Sequence, residues 1–162
     1  PGALLLSDGE AFGSGFHVTT ALCLELMQEQ LHAEPVLNVL DIGAGSGVLA
    51  LGSLIAGVAH ATAIDIDPVA VDAAAENARL NGMTSRIHIV RATPGDIRGV
   101  WPLVFANILT APLIELAPSI VKRVAHSGRL IMSGIQCSLA AEVERAYRNL
   151  GMRPIEIGRA HV

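Results

Sequence analysis

The chain of 162 residues is poor in aromatic side chains, in charge and in cysteine. Aromatic residues make up 3% of it, which argues against a surface that stacks nucleic-acid bases. Charged residues make up 16% and the formal net charge is −4, so the basic face of a protein that grips nucleic-acid backbone is not expected. No apolar run reaches the roughly 18 residues that a membrane span needs. We therefore expect no direct nucleic-acid partner and no membrane partner.

The two cysteines, Cys23 and Cys137, lie far apart without CxxC spacing or a histidine cluster. This pattern predicts no metal site and favours a reducing, cytoplasmic compartment. Hydrophobic residues are abundant at 51%, which excludes a disordered chain. The length corresponds to about one domain.

Short apolar stretches alternate with helical patterns along the chain. The predicted strands are residues 36–42, 61–66, 87–90, 103–106, 129–133 and 154–157. The predicted helices are 19–30, 48–56, 68–81, 110–124 (divided near Pro118) and 139–150. This alternation predicts an α/β fold, a doubly wound, mostly parallel, Rossmann-like sheet with helices on both faces. Ligands of such sheets bind beyond the carboxyl ends of the central strands.

Gly43, Gly45 and Gly47 follow the first predicted strand, where glycine lets backbone approach a ligand closely. Dinucleotide-binding loops place the third glycine five residues after the first, but here Val48 occupies that position. The spacing disfavours a pyrophosphate site. A tight turn between strand and helix, without any ligand, is the alternative.

Several acids flank this loop. Asp65 ends the second strand, where a carboxylate can accept two hydrogen bonds from a ribose diol. Asp67, before Pro68, is better explained as a helix cap than as a ligand. Asp41 either orients the loop and faces the amino end of a ligand or is a buried acid bonded to loop N–H groups. Asp96 lies where an adenine edge is expected, but residues 93–96 are also an ordinary turn.

Three segments carry a resemblance to a known family. They are Ala-Phe-Gly-Ser-Gly-Phe-His-Val-Thr-Thr at 11–20, the glycine loop at 41–47 with Ile-Asp-Ile-Asp-Pro at 64–68, and Ala-Asn-Ile-Leu at 106–109. Together they resemble class I S-adenosylmethionine-dependent methyltransferases, and more specifically the bacterial family that methylates ribosomal protein L11. The similarity extends from about Ala11 to the C-terminus.

The resemblance implies S-adenosylmethionine as cofactor, with contacts from Thr20, Asp65, Asn107 and the glycines of the loop. It also implies methyl transfer to lysine ε-amines or N-terminal amines of a protein substrate, with ribosomal protein L11 as the candidate. Asn107 is then the catalytic residue, because its side-chain oxygen and the Ile108 carbonyl can accept N–H bonds from the amine and orient its lone pair.

Three residues of the 11–20 segment have open roles. His17 is either a general base or a residue that packs over the cofactor. Phe12 and Phe16 either cover the cofactor or fasten the segment to the core.

The family pattern also has departures here. Phe16 and Val18 stand where the family has threonine and proline, so a differently shaped lid is expected. We expect residues 1–18 to form an N-terminal segment with a Gly-rich lid and residues 19–162 to form the S-adenosylmethionine-binding domain. The family's recognition domain and its seventh, antiparallel strand have no counterpart in this sequence. We therefore expect an exposed edge at strand five, a poorly tethered C-terminus or a homodimer formed through that edge.

Two other functions remain open from the sequence. One is a truncated domain that binds the cofactor without catalysis. The other is a nicotinamide-dependent oxidoreductase that uses the glycine loop and Asp65, although the chain has no recognisable hydride-transfer residue.

Overall fold

A computed structural model describes residues 3–7 and 18–155 of the protein. A five-stranded parallel sheet forms its centre, in the order β3-β2-β1-β4-β5. The strands are β1 Asn38–Ile42, β2 His60–Asp65, β3 Ile87–Arg91, β4 Trp101–Asn107 and β5 Val124–Ser133. The strand order reverses between β1 and β4, which places a crevice at their carboxyl ends.

Helices cover both faces of the sheet. The first face carries α1 Val18–Ala33, α2 Val48–Ile55 and α3 Pro68–Leu80, and the second carries α4 Thr110–Glu115, α5 Ala117–Val121 and α6 Ala140–Arg148. A 3-10 turn, Cys137–Leu139, precedes α6. The predicted fold class is therefore confirmed.

The central strands are apolar throughout because both of their faces are buried. In β4, Leu103 and Phe105 join the core under α1 and α2, while Val104 and Ala106 join the core under α4 and α6. Phe105 has no exposed surface. This burial fixes the position of β4 beside β1, and so the position of the residues that follow both strands.

The predicted helix over 110–124 is divided, as Pro118 suggested, into α4 and α5, with the division at Leu116. Its last residue was wrongly predicted, because Val124 begins β5. That strand accommodates the expected Ser127-Gly128 turn as an irregularity within its length. Ser127 adopts a φ of 62°, and the partners of Trp101 and Leu103 are Val124 and Arg129.

The sixth predicted strand is not seen where it can be checked, since Pro154 and Ile155 lie outside any strand and the next residues lie outside the described part of the chain. Within residues 3–7 and 18–155, β5 pairs with β4 alone. No helix in those ranges is long and apolar enough to cross a membrane. The division into residues 1–18 and 19–162 stays a prediction.

Candidate functional site

The candidate site lies at the carboxyl edge of the sheet, where the loops after β1, β2, β4 and β5 meet. Gly43 follows β1 and leads to α2 on one face, whereas Ile108 follows β4 and leads to α4 on the other. Because β1 and β4 are parallel neighbours, their connections diverge at this edge. The sequence-predicted residues Thr20, Asp65 and Asn107 lie around this divergence.

The glycine loop depends on the absence of side chains. Gly43, Gly45 and Gly47 have φ angles of +69°, +55° and +78°, which glycine adopts without strain. A Cβ at Gly47 would lie 3.1 Å from the Cβ of Ala74 in α3. The loop therefore needs glycine for its backbone conformation and for its packing against α3.

Four amides of the glycine loop donate to acceptors of the protein itself. Gly43 and Ala44 both donate to the Ile64 carbonyl (2.9 and 3.0 Å), and Gly47 donates to the Ala44 carbonyl (2.8 Å). The Gly45 amide donates to Asp65 Oδ2 at 2.9 Å. Phosphate sites at helix N-termini need amides that face the ligand. These intramolecular bonds agree with the glycine spacing in disfavouring a pyrophosphate site.

Asp65 is the last residue of β2, is half-buried and has both carboxylate oxygens anchored. Its Oδ2 accepts the Gly45 amide, and its Oδ1 accepts the Asp67 amide at 3.0 Å. Each oxygen keeps a lone pair, so the carboxylate can accept two more hydrogen bonds from a diol. The donor chemistry of a ribose fits this residue.

Asp67 is the cap of α3, as the sequence predicted. Its side chain accepts the Val69 amide at 2.9 Å, directly before Pro68. This hydrogen bond satisfies one of the open amides of the first helical turn.

Asn107 ends β4 and contacts Thr20 of α1. The Asn107 Nδ2 atom donates to Thr20 Oγ1 at 3.4 Å, and Thr20 is buried. Because the amide nitrogen donates to Thr20, the Oδ1 atom is the one left to accept a hydrogen bond from a ligand. The structure thus brings together two residues that the sequence separates by 87 positions.

The segment after Asn107 is held between two glycines. A Cβ at Gly43 would lie 2.1 Å from the Ile108 Cγ2 atom, and a Cβ at Gly134 would lie 2.4 Å from the Ile108 carbonyl oxygen. Thr110 adds hydrogen bonds through its Oγ1 atom, which donates to the Gly134 carbonyl at 3.3 Å and accepts the Gln136 amide at 2.9 Å. The loops after β1 and β5 therefore fix the path of this segment.

Sequence reasoning missed Gly134 and Thr110. A glycine directly after the fifth strand was the available signal, since glycine at the end of a central strand often marks close backbone approach. The partner of that approach, Ile108, could not be found from spacing alone.

Asp41 is the buried acid of the site. It is 1% exposed, and its Oδ2 atom accepts the Ala50 amide of α2 at 3.1 Å. Burial raises the pKa of Asp41 to about 7, the Ala50 hydrogen bond opposes this shift, and the charge of Asp65 adds to it. Of the two alternatives, a buried acid bonded to backbone N–H is seen, with a donor in the helix and not in the loop.

Asp96 belongs to its own turn. Its carboxylate accepts the Thr93 amide at 2.9 Å and the Thr93 hydroxyl at 2.6 Å, and these bonds lower its pKa. The structure favours the turn over an adenine contact. Phe12, Phe16 and His17 lie outside the described residues. In the part of the chain that is described, no group of three His, Cys, Asp or Glu side chains could hold a metal ion.

Solved structures with the same architecture include methyltransferases. One is an S-adenosylmethionine-dependent methyltransferase from Geobacter sulfurreducens in complex with S-adenosyl-L-homocysteine, with a TM-score of 0.58 and 19% identity over 73% of this chain and 51% of that one. At this identity the likeness shows the fold alone. The fold is that of the class I methyltransferases.

Nearer relatives define the family. The family model of ribosomal protein L11 methyltransferase (PrmA) matches residues 3–159. A crystal structure of ribosomal protein L11 methylase from Lactobacillus delbrueckii subsp. bulgaricus has a TM-score of 0.87 and 31% identity, over 98% of this chain and 80% of that one. The chain therefore belongs to the ribosomal protein L11 methyltransferase family.

Curated relatives show the extent of the match. The L11 methyltransferase of Agrobacterium fabrum is 44% identical over 151 residues, which are 90% of this chain and 51% of that protein. That of Chromohalobacter salexigens is 46% identical over 156 residues, which are 94% of this chain and 51% of that protein. The chain spans about half the length of these relatives.

The raised pKa of Asp41 predicts a pH-dependent stability. Between about pH 4, the ordinary value for an aspartate, and pH 7, the folded protein keeps a proton that the unfolded chain has lost. The free energy of unfolding should therefore fall as the pH rises through this window, by about 1.4 kcal/mol per pH unit. Asp41→Asn cannot ionise, so its stability relative to the wild type should rise over the same window in urea denaturation.

Asp96→Asn is the matched control, because hydrogen bonds lower the pKa of Asp96 in the folded state. Its contribution is present above the ordinary aspartate pKa and is lost as the pH falls. Between about pH 4 and pH 7 the stability of this variant relative to the wild type should therefore not vary, and it should rise only as the pH falls below about 4. A difference between Asp41→Asn and the wild type that does not vary with pH would contradict the assignment to Asp41.

Proposed function

We propose that this chain is the methyl-transfer domain of an S-adenosylmethionine-dependent protein N-methyltransferase, with lysine ε-amines or N-terminal amines as acceptors and ribosomal protein L11 as the substrate. The observation that carries the proposal is the convergence of the glycine loop, Asp65 and the Asn107 segment at one edge of the sheet in a chain of the L11 methyltransferase family. The bound product in the Geobacter sulfurreducens structure supports the choice of cofactor.

Asp65, the glycine loop and Thr20 would hold the cofactor. Asp65 is already oriented by two backbone amides, so it can receive a ribose diol without rearrangement. Gly43, Gly45 and Gly47 allow the loop to approach the ligand, and Thr20 lies beside the end of β4. When bound, the cofactor would supply an electrophilic methyl group on a sulfonium, with the neutral thioether as the leaving group.

Asn107 and Ile108 would orient the acceptor amine. The Asn107 Oδ1 atom and the Ile108 carbonyl can accept the N–H bonds of a neutral amine, which leaves its lone pair free for attack. Two fixed acceptors restrict the rotation of the amine and contribute through proximity and orientation. Neither of these two groups acts as a base. In this mechanism the protonated amine therefore loses its proton to solvent before the reaction.

The alternative of a nicotinamide-dependent oxidoreductase is disfavoured by the intramolecular bonds of the loop amides. Titration calorimetry with S-adenosyl-L-homocysteine and with NADH separates the two functions. The alternative of a silent cofactor-binding domain predicts binding without transfer of tritiated methyl to L11. A cytoplasmic location and the absence of a nucleic-acid partner stay part of the proposal.

Two variants test the roles of the site acids and amides. Asp65→Ala should weaken binding of S-adenosyl-L-homocysteine about tenfold or more, because it removes a charged acceptor of two hydrogen bonds. Asn107→Ala should lower the rate constant of methyl transfer to L11 far more than it weakens binding. Asn149→Ala, at an exposed position after α6, is the control and should change neither quantity. Tight binding of NADH and none of S-adenosyl-L-homocysteine by the wild type would overturn the proposal.

A second test separates crowding from backbone strain at the Asn107 segment. Gly134 and Gly151 have φ angles of +77° and +88°, but a Cβ at Gly151 would meet no atom within 4 Å. The left-handed φ alone should cost about 1–2 kcal/mol of stability at either position, and the clash with the Ile108 backbone should make Gly134→Ala the more costly of the two. Only Gly134→Ala should also displace the Ile108 carbonyl, and we expect its methyl-transfer rate to fall about tenfold while cofactor affinity stays near the wild-type value. Equal rates for the two variants would show that the path of Ile108 does not matter.

The edge of β5 allows two chains to pair, and a homodimer through this edge is part of the proposal. A monomer of this chain has a mass of 16.9 kDa. Light scattering on the purified protein should give twice that mass if the edges pair. A monomeric mass at all concentrations would remove the dimer.

A further inference from the structure

A buried asparagine in α3 contacts both the glycine loop and the extended segment at residues 3–7. Asn77 is 1% exposed. Its Nδ2 atom donates to the Ser46 carbonyl at 2.9 Å, and its Oδ1 atom accepts the Ser7 amide at 2.8 Å. One side chain thus joins two segments that lie 31 and 70 positions away in the sequence.

A second asparagine, one helical turn later, holds the same extended segment. Asn81 Oδ1 accepts the Leu5 amide at 2.9 Å, and Asn81 Nδ2 donates to the Leu5 carbonyl at 2.7 Å. Leu4 and Leu6 pack against the core on this face. The segment is therefore held by both asparagines, but within the described part of the chain the hydrogen bond to the glycine loop comes from Asn77.

The position of Asn77 in α3 explains its contact with the loop. Ala70, Ala74 and Ala78 form the buried stripe of this helix, and Asn77 lies within the same stripe. The alanines let α3 approach Gly47 closely, as the 3.1 Å contact of a Cβ at Gly47 shows. Because α3 lies so close to the glycine loop, a buried asparagine side chain on this helix can form a hydrogen bond with the loop backbone directly.

Both partners of Asn77 require the same orientation of its amide. Reversing the amide would set its oxygen against the Ser46 carbonyl and its nitrogen against the Ser7 amide, and both pairs repel. Because Asn77 is buried, loss of either partner leaves a polar atom without compensation by water. Docking of the segment and placement of the Ser46 carbonyl therefore favour the same orientation of the Asn77 side chain. Because coupling between two contacts is reciprocal, docking of residues 3–7 also stabilises the position of the Ser46 carbonyl.

We propose that Asn77 is a positioning residue for the glycine loop, and that docking of residues 3–7 strengthens cofactor binding through it. Ser46 lies between Gly45, which bonds Asp65, and Gly47, so a shift of its carbonyl moves both. The identity of the cofactor rests on the proposed function, whereas the connection between segment and loop does not.

Three variants test the connection. Asn77→Leu removes both contacts while it keeps the branched shape of the side chain. Asn81→Ala removes both contacts with Leu5 and the hydrogen bond from Asn81 Nδ2 to the Asn77 carbonyl (2.7 Å), but none of these bonds reaches the glycine loop. Tyr147→Phe is the matched control, because it removes another buried hydrogen bond, from the Tyr147 hydroxyl to the Leu113 carbonyl (3.0 Å), in the core on the opposite face of the sheet. Each variant is measured by thermal unfolding, by calorimetry with S-adenosyl-L-homocysteine and by amide hydrogen exchange of residues 3–7 and 43–47.

We expect Asn77→Leu to weaken cofactor binding about tenfold and Asn81→Ala about threefold. In the Asn77→Leu background, Asn81→Ala should have no further effect on affinity, since the connection is already broken. Tyr147→Phe should lower the unfolding temperature and leave affinity unchanged. Additive effects of the two asparagine variants, or wild-type affinity in Asn77→Leu, would overturn the proposal.

Hydrogen exchange without ligand decides the connection independently of the cofactor. Asn81→Ala should speed exchange of the Gly45 and Gly47 amides although it does not touch the loop, and unchanged exchange there overturns the inference. This measurement also holds if Asn77→Leu fails to fold. If the wild-type protein bound no S-adenosyl-L-homocysteine, the proposed function and the predicted effect on affinity would both be wrong. The connection between the segment and the glycine loop would then be tested by the exchange measurement alone.

Discussion

The candidate site depends on the pair of hydrogen bonds that the Asp65 carboxylate accepts from Gly45 and Asp67. The Gly45 bond joins the end of β2 to the loop after β1, so the distance between the two is set before any ligand arrives, and the Asp67 bond holds the carboxylate against its own turn. A carboxylate held in this way loses little rotamer freedom on binding, and preorganisation of this kind lowers the entropic cost of recognition. The hydrogen bonds also leave one lone pair on each oxygen, which is what a vicinal diol requires.

The second requirement is close backbone approach on the other side of the crevice. Ile108 lies against Gly43 through its side chain and against Gly134 through its carbonyl, so three loops share one packing constraint. Since Asn107 directly precedes Ile108, the close approach of Gly43 and Gly134 to Ile108 also restricts the position of the amide proposed to bind the acceptor. Dense packing transmits small changes at such contacts. The buried Asn77 supports the glycine loop through the Ser46 carbonyl, and the buried Asp41 holds the following helix, α2, through the Ala50 amide.

The fold and the local features of the site could be predicted from the sequence, whereas its long-range contacts could not. Asp67 as a helix cap, the divided helix at Pro118 and the glycines after β1 follow from short-range rules, and the structure has all three. The start of β5 was wrong because the strand absorbs the Ser127-Gly128 turn, which pattern reasoning places outside a strand. Gly134 and Asn77 were missed because their partners, Ile108, Ser46 and Ser7, come from distant parts of the chain. The roles of Thr20 and Asn107 came from the family resemblance, and the structure adds their contact.

The Ile64 carbonyl accepts both the Gly43 and the Ala44 amides, so the turn out of β1 is shaped by main-chain atoms. A turn specified by main-chain bonding tolerates sequence drift at the positions whose side chains take no part in it. Evolutionary change or laboratory mutagenesis around this turn should therefore accumulate at Ala44 and Ile64 as exchanges among residues of similar size, while the glycines on either side stay fixed. A library randomised over residues 43–47 would record this as uneven tolerance along five adjacent positions.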